Sequence, residues 1–225
     1  TYNEASFGPG RYPGMLYGGY WDIDRQRQAL RGSGSLFDRN QSWAFCQKHG
    51  VPLWIGEFGS VYNGPEREIT DRLRALEDQM TVYDEEGLSW ALWTLKDIGV
   101  MGTLVCHPES DYMERTAAVR AKQRALYLDY IFPGLKRPPL KKIMDKAADS
   151  VFALTAPQQH PLAYRQNFVK GLSAYHLPPQ IQYDYAKVFA PLSETDIDTT
   201  LASFAHDKCV RRGPLVEMIR RHLLT

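Results

Sequence analysis

The sequence contains few cysteines and no spacing that suits a bound metal. Three cysteines, Cys46, Cys106 and Cys209, lie far apart without a Cys-x-x-Cys pair or a Cys/His ligand pattern. Zinc sites and disulfide frameworks depend on such patterns, so we expect neither and predict that all three cysteines stay reduced. No metal and no organic cofactor is predicted. Five histidines also lack ligand spacing and are expected at surface or packing positions: His107, His160, His176, His206 and His222.

An excess of charge and long apolar runs are lacking too. The formal net charge is +1, and Lys and Arg are spread along the chain rather than gathered in a basic stripe, which argues against nucleic acid as a partner. The longest apolar stretches, at 51–55 and 88–95, are far shorter than the roughly 20 residues that cross a bilayer. We therefore predict no membrane partner. A chain with 44% hydrophobic residues can form one core or two small ones.

The first residues lack the features of a natural chain start. The sequence opens on Thr1-Tyr2-Asn3-Glu4, without an initiator Met and without the basic and apolar segments of a secretory signal. This start predicts a cut chain. Because a signal on the missing part would be invisible, the compartment, extracellular or cytoplasmic, stays open.

Residues 35–131 alternate between helix and strand patterns. The predicted elements are a helix at 35–50, a strand at 51–56, a helix at 65–86, a strand at 88–94 and a helix at 112–131. The strands are short apolar runs, as expected for a parallel sheet that is buried on both faces. This order predicts an α/β fold with active-site loops at the carboxyl ends of the strands. Residues 7–24, rich in Gly, Pro and Tyr, predict a long ordered loop.

The last part of the chain has a different character. After Pro138-Pro139 the patterns are short helices with no strands between them. The predicted helices are 140–154, 164–174, 182–189, 193–209 and 214–223. We therefore divide the chain into 1–134 and a helical C-terminal extension, 135–225. The extension is expected to pack against outer helices of the first part, and no motif in it indicates a function.

A single acid at the end of the first predicted strand is the main candidate for catalysis. Strand alternation places Leu53, Ile55 and Glu57 on one face, so the Glu57 carboxylate is expected to end an apolar column that points into a barrel interior. The glycines on either side, Gly56 and Gly59, would let other groups approach closely. The alternative is a buried structural acid paired with an arginine, which the glycines and the companion strand disfavour.

The companion strand carries an aromatic candidate. Ser89, Ala91 and Trp93 share a face by the same alternation, which leaves room inside a barrel and places the Trp93 indole at its mouth. An aromatic plane can cover the apolar C–H face of a sugar ring. Trp93 is therefore predicted to form the floor of a sugar subsite, whereas Trp90 is expected to pack in the core.

These motifs together resemble a known enzyme family. The string WIGEFG, followed about thirty residues later by SWALWTLKD, resembles the seventh and eighth strands of glycoside hydrolase family 5, especially its cellulase-like fungal endoglucanases. The resemblance implies a (β/α)8 TIM barrel of which this chain holds the last two to three βα units. It also implies that Glu57 is the catalytic nucleophile and that Trp93 lines the subsite where cleavage occurs. The resemblance covers about residues 1–132 and is strongest over 51–97.

Further residues follow from the same resemblance. Tyr2 matches the tyrosine of the His-x-Tyr on the sixth strand, which contacts the nucleophile in that family, and residues 7–22 resemble the loop after it. The family's acid/base glutamate follows an asparagine on the fourth strand and is expected upstream of this chain. Asn3-Glu4 is rejected as a substitute, because no proline follows and too few residues separate it from Glu57. Lys96 and Asp97 are candidates for contacts to substrate hydroxyls, with a salt-bridged loop as the equal alternative.

The implied activity is retaining hydrolysis of a β-glucosidic bond in an oligo- or polysaccharide such as β-1,4-glucan, by double displacement and without a cofactor. Two carboxyl groups about 5–5.5 Å apart are expected in such an enzyme. Because one of them is missing, the fragment alone is expected to be inactive. Two alternatives stay open: a non-catalytic carbohydrate-binding or interaction protein derived from a barrel glycosidase, and a related barrel glycosidase such as a mannanase or exo-β-glucanase. The oligomeric state is not indicated.

Overall fold

The computed structural model describes residues 6, 11–16, 19–32, 41–125, 140–155, 164–165, 168, 171 and 178–223. The chain forms two compact units. Unit 1 comprises Thr1–Val105 and Val210–Thr225, and unit 2 comprises Cys106–Cys209.

The strands over these residues are β1 (Gly14–Leu16), β2 (Gly19–Trp21), β3 (Trp54–Phe58), β4 (Ser89–Leu92), β5 (Lys96–Asp97), β6 (Leu104–Cys106) and β7 (Cys209–Arg211). The helices are α1 (Ile23–Arg31), α2 (Gln41–His49), α3 (Glu66–Glu85), α4 (Asp111–Arg115), α5 (Ala117–Ala125), α6 (Leu140–Thr155), α7 (Pro178–Phe189), α8 (Glu194–Leu201) and α9 (Gly213–Leu223). Short 3₁₀ turns occupy Ala202–Phe204 and His206–Lys208.

The strands form three small sheets. Strands β1 and β2 make an antiparallel hairpin, β3 and β4 pair in parallel, and β5, β6 and β7 form the third sheet in that order. The predicted mixed α/β character is confirmed, as is the helix, strand, helix, strand order at the centre of the chain. Within the part of the chain that the structure describes, these sheets do not close into a barrel.

The centre of unit 1 is a βαβ arrangement of β3, α3 and β4. One face of α3 buries Leu76, Met80 and Tyr83 in a core cluster that also contains Phe58 of β3. The Phe58 and Tyr83 rings meet edge to face with centroids 5.0 Å apart, and Trp90 of β4 packs against the same cluster. Burial of each large apolar side chain contributes about 1.5–3 kcal/mol, so this cluster is the main stabilising feature of unit 1.

Over the described part of 7–24, residues 11–16 and 19–24, β1, β2 and the start of α1 take the place of the loop that we predicted. Asp22 caps α1 by accepting a hydrogen bond from the backbone amide of Arg25 at 2.9 Å. The sequence prediction missed this helix start because the preceding segment is rich in Gly and Tyr. The Gln26 side chain donates to the Ala75 carbonyl at 2.6 Å, and Arg27 forms a two-point contact with Glu85 at 2.8 and 2.7 Å. These contacts fix α1 against α3, which local sequence does not reveal.

A buried tyrosine links the hairpin to α3. The Tyr12 hydroxyl donates to the Asp78 carboxylate at 2.7 Å. Burial raises the pKa of Tyr12. Burial also raises the pKa of Asp78, and the hydrogen bond from Tyr12 opposes that rise. The Tyr12 hydroxyl therefore stays neutral and remains the donor in this half-buried pair.

The C-terminal segment is less uniformly helical than predicted. Ser193 and Asp196 form a reciprocal capping box at the start of α8, which confirms the predicted helix start. The helix then ends at Leu201, where we predicted it to run to residue 209, and β7 follows in a region where no strand was expected. The predicted boundary between residues 134 and 135 lies outside the described residues and stays a prediction.

Helix α9 packs in unit 1. Leu215 and Met218 are buried in the same core cluster as Leu76, and Arg221 pairs with Glu77 on α3. The last helix therefore supplies part of the core on which β3 and β4 rest.

Unit 2 contains its own aromatic and polar contacts. The Tyr112 ring meets Phe204 edge to face at 4.7 Å, and the Tyr185 hydroxyl donates to the Gln123 side chain at 2.9 Å. Thr200 also donates a hydrogen bond to the carboxylate of Asp111. These contacts join α4 to α8 and to the 3₁₀ turn that follows it, and they join α5 to α7.

Among the described helices, none combines the length and the apolar character that crossing a membrane requires.

We predict that Leu215→Ala destabilises unit 1 by about 2–5 kcal/mol, because it leaves a cavity in the core beside α3. Leu215 is 0% exposed, whereas Leu223 on the same helix is 66% exposed, so Leu223→Ala is the matched control and should change stability little. Denaturant unfolding of the two variants measures the difference. Equal unfolding midpoints would show that α9 does not pack in this core.

Candidate active site

The carboxyl ends of β3 and β4 bring the two main candidate residues together. The strands run parallel, with Phe58 opposite Leu92, and the Trp93 amide donates to the Phe58 carbonyl at 2.7 Å. Glu57 precedes Phe58, and Trp93 follows Leu92. The predicted nucleophile and the predicted sugar platform therefore lie at the same end of one strand pair.

A bulge changes the faces that the strand residues occupy. Ile55 pairs with Trp90 and Phe58 with Leu92, so three steps along β3 match two steps along β4. An extra residue of this kind disrupts the alternation of a strand. Ile55 is buried in the core cluster, whereas Glu57 is exposed, so the prediction that both share one inward face is wrong.

Exposure is the main difference between the site and our expectation. We expected Glu57 to point into a closed barrel, but in this structure it is exposed to solvent. A catalytic carboxylate normally lies in a cleft that excludes water, so exposure by itself counts against the role. The catalytic assignment of Glu57 thus stays a prediction, and it requires that further protein segments cover this side chain.

The tryptophans divide between the core and the surface. Trp90 packs edge to face against Phe58 at 5.7 Å, which confirms its predicted core role. Trp93 is 50% exposed, and Trp54 at the opposite end of β3 is 68% exposed. The exposed Trp93 indole is accessible to a ligand, and its role as a sugar platform stays a prediction.

One of the two glycines near Glu57 permits a close backbone approach. A Cβ atom placed on Gly59 would lie 2.3 Å from the Trp93 carbonyl oxygen, whereas one on Gly56 would meet nothing within 4 Å. Gly59 therefore lets the chain leaving β3 contact the chain leaving β4. The peptide bond that follows, between Trp93 and Thr94, is cis.

The Asp97 carboxylate organises the loop after β5. It accepts backbone amide hydrogen bonds from Gly99 at 2.8 Å, Val100 at 3.0 Å and Met101 at 2.6 Å. These bonds favour a structural role for Asp97, through backbone amides rather than through the ion pair that we considered. Lys96 is exposed. Contact of Lys96 or Asp97 with a substrate stays a prediction.

Two residues near this loop were not predicted from the sequence. Arg212, from the segment between β7 and α9, donates to the Gly99 and Gly102 carbonyls, both at 3.1 Å, and its guanidinium lies 4.8 Å from the centre of the Tyr62 ring. Burial lowers the pKa of Arg212 and raises that of Tyr62. No local pattern could have found this contact, because it joins residues that are distant in the sequence.

Other sequence predictions lie outside what the structure shows. Tyr2 and the rejected pair Asn3-Glu4 fall outside the described residues. Among the described residues, no group of three or more His, Cys, Asp and Glu side chains is arranged to hold a metal ion.

Comparison with known proteins gives a distant relative. The chain is 27% identical over 213 residues to a β-xylosidase of Phanerodontia chrysosporium, and the match covers 89% of this chain and 43% of that protein. The chain thus spans less than half the length of the relative it matches. No family model matches the chain. No solved structure matches it either.

We predict that Gly59→Ala destabilises unit 1 by about 1–3 kcal/mol, because the new methyl group would force β3 and the Trp93 carbonyl apart. Gly56→Ala, three residues earlier within β3, is the matched control, since it introduces a methyl group into open space. Thermal unfolding of both variants tests this. A Gly59 variant as stable as the Gly56 variant would contradict the close approach.

Proposed function

We propose that this chain is part of a retaining glycoside hydrolase in which Glu57 is the nucleophile. The observation that carries the proposal is the placement of Glu57 and Trp93 at the same end of a parallel strand pair. Similarity to a protein named as a β-xylosidase, a glycoside hydrolase, supports this class of enzyme. The resemblance of the WIGEFG and SWALWTLKD strings to family 5 strands supports the specific roles.

The exposure of Glu57 fits this proposal if the strand pair belongs to a larger barrel. One face of β3 and β4 packs against α3 through Ile55, Phe58 and Trp90. Trp54 at the start of β3 and Trp93 directly after β4 are also exposed. In a (β/α)8 barrel, helices cover the outer face and further strands enclose the inner face. We propose that further strands of a longer protein enclose Glu57 in this way and supply the acid/base glutamate.

The proposed chemistry has two steps. The Glu57 carboxylate attacks the anomeric carbon while the upstream glutamic acid donates a proton to the departing glycosidic oxygen, which leaves a covalent glycosyl ester. The upstream carboxylate then removes a proton from water, and the water oxygen displaces Glu57. Trp93 would hold the sugar ring beside the carboxylate through its exposed indole face.

The proposed substrate is a β-linked oligo- or polysaccharide such as β-1,4-glucan. The name of the relative makes a β-xyloside the first alternative to assay. Trp93 offers a flat apolar surface that suits the C–H face of either sugar, so the described residues favour neither one.

We predict that Glu57→Ala in the longer protein lowers kcat by at least about 10³-fold, because the attacking group is removed. Added azide should restore part of the activity toward an aryl glycoside with a good leaving group and give a glycosyl azide of inverted configuration. The control is Glu109→Ala, which removes an exposed carboxylate from unit 2. A Glu57 variant with parental activity would sink the proposed function, and loss of activity without azide rescue would count against the nucleophile role.

Trp93→Ala is predicted to raise KM about tenfold, which corresponds to about 1.4 kcal/mol of lost contact with the sugar. Trp54→Ala is the comparison variant. Trp54 is also an exposed tryptophan, but it lies at the amino end of β3 rather than at the carboxyl end. Initial rates on soluble oligosaccharides would measure both. Equal KM values for the two variants would remove Trp93 from the proposed subsite.

Weakened sugar binding in Trp93→Ala, together with no hydrolysis by the parent longer protein, would instead indicate the non-catalytic carbohydrate-binding alternative. Isothermal calorimetry with oligosaccharides would distinguish that outcome from a lack of any sugar site.

A further inference from the structure

One arginine connects the C-terminal segment to the loop after β3 and to the loop after β5. The Arg212 side chain donates to the carbonyls of Gly99 and Gly102, and its backbone amide donates to the Thr103 carbonyl at 2.8 Å. Its guanidinium also lies over the ring of Tyr62, in the loop after β3. Arg212 is therefore in contact with the loop that leaves β3 and with the loop that leaves β5.

The contacts continue from Arg212 to Trp93 through the backbone. The Thr103 amide donates to the Thr94 carbonyl at 3.1 Å, directly after Trp93, and the Tyr62 amide donates to the Val100 carbonyl at 2.6 Å. The Trp93 carbonyl in turn lies against Gly59. A displacement of the 99–103 loop would therefore be transmitted to the backbone of Trp93.

The type of contact suits an arginine better than other residues. Its planar guanidinium can donate to two carbonyls while one face covers an aromatic ring, which a lysine ammonium cannot do. Among the described residues, no salt bridge within 4 Å joins Arg212 to a carboxylate, and its Nε and Nη2 atoms donate to the Gly102 and Gly99 carbonyls. The side chain thus fixes the shape of the loop through hydrogen bonds, while the charge of Asp97 in the same loop favours the charged guanidinium.

We propose that Arg212 is a positioning residue that holds the 99–103 loop and the Tyr62 loop in place, and thereby holds Trp93 beside Glu57. This inference rests on the proposed function for its catalytic consequence. It assigns a role in the site to residue 212, within the segment 135–225 where the sequence showed no functional motif.

The first measurement uses the 225-residue chain itself. In Arg212→Ala, hydrogen exchange of the amides at 99–103 should become at least about tenfold faster, because the carbonyls that Arg212 binds are released. The matched surface control is Arg211→Ala, which removes an exposed arginine one residue away. Unchanged exchange at 99–103 in a folded Arg212 variant overturns the proposal.

The second measurement uses the longer protein and separates positioning from general stability. Arg212→Ala should lower kcat/KM by about 10–100-fold at a temperature where the variant is folded, since small displacements of substrate-positioning groups carry losses of this size. Leu215→Ala, which removes only core packing, should lower the melting temperature and leave kcat/KM within about twofold.

Arg212→Lys should keep less than half of the parental kcat/KM. Added guanidinium at low millimolar concentration should partly restore the kcat/KM of Arg212→Ala.

The variants distinguish this inference from the proposed function. Parental kcat/KM in both Arg212 variants, with activity abolished in Glu57→Ala, overturns the positioning role and leaves the hydrolase proposal intact. Full activity in Glu57→Ala removes the proposed function, and the exchange rates at 99–103 then decide whether Arg212 holds the loop. If Arg212→Ala does not fold, the same measurements on Arg212→Lys decide the question.

Discussion

The parallel pairing of β3 with β4 over α3 is the contact on which the rest of unit 1 depends. It places Phe58 and Trp90 in one core with Tyr83, and it brings the ends of both strands to the same edge. The buried aromatic and aliphatic side chains on the α3 face provide the stabilisation, because they remove a large apolar area from water. The bulge in β3 lets Ile55 and Phe58, which are three residues apart, both lie in that core, while Glu57 reaches solvent.

The C-terminal segment stabilises the same arrangement in two ways. Leu215 adds apolar area to the core that contains Phe58 and Tyr83, and Arg212 binds the 99–103 loop. The core contact is nondirectional and should affect mainly the free energy of unfolding. The Arg212 contacts are directional, because two carbonyls and one ring must be placed correctly, so they act on the shape of the site. Leu215 and Arg212 thus have separable effects, the first on stability and the second on the shape of the loop.

The candidate site has a clear position but an open surface. Glu57 and Trp93 lie on adjacent strands at their carboxyl ends, which is where α/β barrel enzymes place catalytic groups. Both side chains are exposed among the described residues, and catalytic electrostatics are strongest in low-dielectric surroundings. We propose that further strands of a longer protein supply such surroundings.

The sequence by itself determined the local features: the alternation around β3, α3 and β4, the core position of Trp90 and the start of α8 at Ser193, because periodicity and capping act over a few residues. Only the tertiary structure decided that Ile55 and Glu57 separate at a bulge, that β1 pairs with β2 ahead of α1, and that Arg212 reaches the loop after β5. These features arise from register and from contacts between distant segments. A one-dimensional pattern contains no information about which distant carbonyl, ring or helix a side chain will meet.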